Sequence, residues 1–75
     1  MEDAIPDKQA LLDLLVVKMP FGKYKGRFMI DLPEYYLNWF YQKGFPEGKI
    51  GKLLAQTYEI KLNGLEGLVR KINRL

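Results

Sequence analysis

The chain has 75 residues, 48% hydrophobic and 13% aromatic, with no cysteine, no histidine and a formal net charge of +3. That length allows one domain, 1–75, and the missing residue types exclude a disulfide framework, a thiolate–zinc site and the usual acid–base side chain near neutral pH. Charge is uneven: residues 1–15 hold four acids against Lys8, whereas residues 16–75 hold eleven cations against five acids.

A basic surplus of this kind suits an anionic partner. The apolar content argues against disorder. The opening Met-Glu-Asp-Ala-Ile-Pro-Asp is acidic where a signal peptide would be basic. The longest apolar run, Leu14 to Val17, falls far short of the roughly 18 residues that suggest a membrane span. A whole small protein starting at Met1, soluble and cytoplasmic, is expected.

Pro6 and Asp7 suit a helix's first turn, and Leu11, Leu12, Leu14 and Leu15 form its apolar stripe, so 6–15 reads as a short helix. The period then changes. Val17, Met19 and Phe21 alternate with Lys18 and Pro20, and Phe28, Ile30 and Leu32 alternate with Arg27, Met29 and Asp31. Two period-2 runs around a Gly-bounded loop predict a β-hairpin, with strands at about 16–20 and 27–31 and one buried face.

Asp31-Leu32-Pro33-Glu34 reads as a helix start, with Asp31 and Glu34 as a capping box and Pro33 in the first turn. The following helix, 33–43, is apolar nearly all round and is expected to be the central packing element, stopped by Gly44. Residues 47–62 predict another helix, with Ile50, Leu53, Leu54, Thr57 and Tyr58 inward and Lys49, Lys52, Glu59 and Lys61 largely outward. Gly48 and Gly51 should weaken its start by roughly 1 kcal/mol each. Asn63-Gly64 ends it. Asn63, with Glu66, is expected to cap a last helix carrying Leu65, Leu68, Val69, Ile72 and Leu75 on one side and Arg70, Lys71 and Arg74 on the other. The expected fold class is therefore α+β: a two-stranded antiparallel hairpin packed against three to four short helices.

The functional signal is concentrated between Lys18 and Arg27. Those ten positions hold four of the twelve cations, two glycines and two aromatics, and no acid. Gly22 and Gly26 would let backbone amides approach an anion, while Lys18, Lys23, Lys25 and Arg27 supply charge. This is not a nucleotide P-loop, because Gly22-Lys23 is followed by Tyr24 and the spacer with its first glycine is missing. Tyr24 has two readings, a stacking platform for bases or a ring folded back onto the hairpin or the Trp39 helix. Phe21, Phe28, Tyr36, Trp39 and Phe40 are assigned to the core.

Met19-Pro-Phe-Gly-Lys-Tyr-Lys-Gly-Arg27, Asp31-Leu-Pro-Glu-Tyr-Tyr-Leu-Asn-Trp39 and Ile60-Lys-Leu-Asn-Gly-Leu65 together resemble a family of small bacterial proteins catalogued as putative quorum-sensing-regulated virulence factors. Phe21-Gly-Lys-Tyr-Lys-Gly26 with Tyr36, Leu37 and Trp39 is also similar to the accessory C-terminal module of exonucleases related to exodeoxyribonuclease X. That second resemblance implies a module working near nucleic-acid ends. The acidic metal cluster of the exonuclease chemistry has no counterpart in this chain.

The expectation is a non-enzymatic module with no cofactor, metal or catalytic residue. It would bind nucleic acid weakly, mainly at phosphate, through Lys18, Gly22, Lys23, Tyr24, Lys25, Gly26 and Arg27. The plain alternative makes the loop a solvated turn. A third reading is a protein–protein interaction module or small homo-oligomer, docking through the loop or through Tyr35, Tyr41 and Phe45. Asp31 and Glu34 could pair for metal or acid–base work, but the capping box accounts for both.

Overall fold

The computed structural model describes residues 8–72. Four α-helices follow in order, α1 (Lys8–Val16), α2 (Glu34–Lys43), α3 (Gly48–Leu62) and α4 (Glu66–Ile72), with a 3₁₀ turn at Met29–Asp31 between the first two. The expected start of α1 at Pro6 lies outside the described residues.

The α+β expectation is overturned. Among the described residues there is no β-strand, and the two arms around the loop meet at one isolated antiparallel bridge, Lys18 with Phe28. Three backbone bonds hold the arms: Met19 N–H to Arg27 O (2.7 Å), Gly26 N–H to Met19 O (2.8 Å) and Met29 N–H to Val17 O (3.0 Å). Pairing stops there for two reasons. Pro20 has no N–H with which to extend a ladder. Beyond Phe28 the chain coils, with Asp31 N–H bonded to Phe28 O and Leu32 N–H to Met29 O.

At three residues per turn, Met29 and Leu32 come to lie over one another. Both are buried, as is Ile30, whereas Phe28 is exposed. A strand with one wet face cannot bury such a set. Phe21 is also exposed, so the assignment of Phe21 and Phe28 to the core fails.

The capping box at α2 fails as well. A residue before proline is driven towards extended backbone, and Leu32 (ψ 138°) and Pro33 (ψ 150°) are both extended. The helix therefore starts two residues later than a cap at Asp31 requires, with Pro33 at the N-cap and no side-chain cap. Pro33 O accepts from Tyr36 N–H and Leu37 N–H. Asp31 turns instead to Arg70, 2.7 Å away, a half-exposed ion pair worth about 1 kcal/mol at most. It ties the 3₁₀ turn to α4.

Leu37 and Phe40 bring one face of α2 against α3, which supplies Leu53, Leu54, Thr57 and Ile60. Thr57 is fully buried, and its hydroxyl donates to Leu53 O at 2.7 Å, so no polar group is orphaned there. Leu14 of α1, Met19 and the 3₁₀ turn fill the other side of the core. From α4 only Val69 is buried, and Leu65 and Leu68 of the expected stripe are exposed. Gly44 (φ +102°) and Gly64 (φ +70°) stop α2 and α3 as expected. Asn63 caps the end of α3, its Nδ2 donating to Glu59 O, while Glu66 pairs with Lys61 at 3.1 Å. Their expected capping box is therefore absent.

Gly51 is needed for close approach rather than tolerated at a cost. A Cβ there would stand 1.5 Å from Pro46 O, and that atom belongs to backbone. Gly67 on α4 has nothing within 4 Å of its Cβ position. Gly51→Ala should therefore lower stability by about 1–3 kcal/mol through overpacking. Gly67→Ala should raise it by a few tenths to about 1 kcal/mol. Urea melts of the two variants against the parent decide this, and equal shifts would mean that the Pro46 backbone yields freely.

Candidate functional site

The loop from Met19 to Arg27 is two successive turns, closed by Lys25 N–H to Gly22 O (3.2 Å) and Arg27 N–H to Tyr24 O (3.0 Å). Gly22 and Gly26 both take positive φ, +79° and +91°, a region where a Cβ is strained. The sequence pattern marks the right two residues as pivots of the loop, although the element they shape is not a hairpin.

Tyr24 fixes the loop to α2. Its ring meets Tyr36 edge-on at 4.7 Å and Tyr35 edge-on at 6.3 Å, and its hydroxyl is hydrogen-bonded to that of Tyr35. Edge-to-face pairs of this kind contribute about 0.5–1.5 kcal/mol beyond burial. The folded-back reading of Tyr24 is the observed one.

Two loop cations flank that ring. Lys23 Nζ lies 5.5 Å and Arg27 Cζ 5.5 Å from its centroid, within cation–π range. Lys23 Nζ also lies 5.7 Å from the Tyr35 centroid and 3.4 Å from the Tyr35 hydroxyl. Lys18 stands over the Phe28 ring at 5.4 Å. Lys25 is exposed. Tyr24 thus gathers Lys23 and Arg27 around one ring, while Lys18 is held separately.

None of these four cations is paired with a carboxylate among the described residues. The ion pairs lie elsewhere, at Lys49–Asp13, Lys61–Glu66 and Arg70–Asp31. Because Asp31 is engaged by Arg70, the Asp31–Glu34 pair is not a free dyad. The described residues contain no cluster of three or more metal-ligating side chains, and no described helix is long and apolar enough to cross a membrane.

Sequence reasoning missed the surface beside the loop. Phe21, Gly22, Tyr35, Tyr36, Trp39 and Phe40 line a groove of about 520 Å³. Trp39, expected in the core, is 52% exposed, because Leu37 and Phe40 take the inward face of α2 and leave Trp39 edge-on to Phe40 at 5.1 Å. The available signal was that 35–41 carries more aromatic surface than one side of a ten-residue helix can bury. Tyr41 and Phe45 lie around a second, smaller groove with Tyr58, on which Tyr41 stacks at 4.8 Å, whereas Tyr35 lines the first.

Two outcomes are expected. Tyr24→Ala should accelerate amide hydrogen exchange at Gly26 and Arg27 while α3 stays protected, and unchanged exchange would show that the loop holds itself. Burial also raises the Tyr36 phenol above its ordinary value of 10.0. As pH climbs past that value the unfolded chain gives up this proton before the folded one, so the contribution is whole below pH 10 and is lost through the folded-state pKa. In an alkaline absorbance titration of the five tyrosines, Tyr36→Phe should remove a late component.

A family model described as "Putative quorum-sensing-regulated virulence factor" matches residues 7–72. "Uncharacterized protein YpeB" of Escherichia coli strain K12 is 51% identical over 69 residues, covering 91% of this chain and 96% of that protein. The protein of the same name from Escherichia coli O157:H7 gives the same figures. No solved structure matches. With most of its length inside the family model, the chain belongs to the family of putative quorum-sensing-regulated virulence factors.

Proposed function

We propose that this protein is a cytoplasmic, non-enzymatic module that binds nucleic acid weakly through the phosphate backbone. One observation carries the reading. Lys23, Lys25 and Arg27 share a short loop with Lys18 at its foot, and no carboxylate among the described residues pairs with any of the four. Gly22 and Gly26 shape that loop, and Tyr24 holds it against α2. Charge held in place by backbone and rings loses little ordering entropy when an anion arrives. The similarity of Phe21–Gly26 to the accessory module of exodeoxyribonuclease X-like exonucleases points the same way.

Binding of this type releases counterions, so it should weaken steeply with salt and discriminate little between sequences. Labelled oligonucleotides titrated at low and moderate salt should bind in the submillimolar range at low salt, with amide shift changes at 22–27. Lys23→Glu combined with Lys25→Glu should weaken binding and flatten the salt slope by about 0.7–0.9 for each phosphate no longer neutralised. Failure of any oligonucleotide to bind below millimolar concentration at low salt would remove the reading. Weight would then pass to a protein partner, detectable by light scattering or pull-down.

A further inference from the structure

The aromatic groove opens directly from the basic loop, since Phe21 and Gly22 line it and Lys23 is the next residue along the chain. Its volume, about 520 Å³, falls in the range of small-ligand sites. All of its side chains are aromatic, and none is acidic. Phe21 and Trp39 leave 43% and 52% of their surface in contact with water, an unfavourable state for rings of that size in a chain with so little core. One lining residue, Tyr36, also carries a hydroxyl. The Tyr36 hydroxyl has no hydrogen-bond partner among the described residues and, as a phenol, is protonated at neutral pH, so it can both donate and accept.

Rings and cations together select the occupant. An apolar peptide would use the rings and leave the loop's charge unanswered. A bare polyanion would use the charge and leave the rings wet. A single-stranded nucleic acid uses both, because its bases are free to leave the stack and its backbone carries a charge at every step. A duplex keeps its bases paired and stacked.

We propose that the groove between Phe21 and Trp39 receives one unpaired nucleobase of a single strand whose phosphates lie against Lys23, Lys25 and Arg27. This rests on the phosphate-binding reading above and adds a ligand class to it. Phe21 and Trp39 are the stacking residues, and the Tyr36 hydroxyl meets the base edge. Tyr24 does not touch the base directly and serves to position the loop.

The test compares labelled oligothymidylate of about eight nucleotides, an abasic strand of the same length and a blunt duplex, all at low salt by fluorescence anisotropy. The base-bearing strand should bind about tenfold tighter than the abasic one and should quench the emission of Trp39, the chain's one tryptophan. Trp39→Ala and Phe21→Ser should each erase that tenfold difference while keeping abasic-strand binding and the helical circular dichroism. Emission from the native protein gives the same answer should either variant unfold. Equal affinity for base-bearing and abasic strands, with unchanged Trp39 emission, would overturn the groove and leave the loop reading intact. Absence of binding by every strand would defeat both. A concentration-dependent dimer abolished by Trp39→Ala, without base preference, would assign the groove to a second copy of the chain and overturn the proposal.

Discussion

The packing of Tyr24 on Tyr35 and Tyr36 is the constraint on which the placement of the basic loop depends. The arms of the loop share one bridge and three backbone bonds, too few to hold a stretch of chain rigid by themselves. Docking the middle of the loop on α2 gives it a second point of attachment. The same packing sets where Lys23 and Arg27 stand, because both lie beside the ring that is docked. It also gives the groove its shape, since Tyr35 and Tyr36 support Tyr24 and line the groove as well.

Among the described residues, three ion pairs link separate parts of the chain. Asp13, Asp31 and Glu66 each take a cation from another part of the chain: α1 to α3, the 3₁₀ turn to α4, and α3 to α4. The half-exposed Arg70–Asp31 pair adds little by itself, and none of the three acids reaches the loop's positive charge. In a chain of 75 residues without disulfides, stability rests on the seam between α2 and α3 and on the buried residues around the 3₁₀ turn. The loop contributes Met19 to that core and keeps its cations outside.

The helices were legible because their ends are chemical. Gly44 and Gly64 take backbone angles that other residues avoid, and Pro33 bounds α2 from the other side. The stretch 16–32 was not legible in the same way. Alternation is evidence for a strand only if the chain stays extended, and Met29 to Leu32 coils after the first matched positions. Periodicity cannot distinguish a three-residue turn from a strand over so few residues. Trp39 exposes the other limit of the sequence. On a helix that is apolar all round, the buried stripe is chosen by what packs against it, and the neighbour that chose Leu37 and Phe40 lies well along the chain in α3. The basic loop, by contrast, was visible from its composition alone, and so was the folding back of Tyr24 as one of two readings.

Gly22 combines two requirements in one missing atom. Its φ of +79° turns the chain into the loop, and a Cβ at that position would approach the Tyr36 hydroxyl to 2.8 Å. Any replacement would therefore strain the bend and require the Tyr36 hydroxyl to shift. The bend of the loop and the room left for the Tyr36 hydroxyl depend on the same absent side chain.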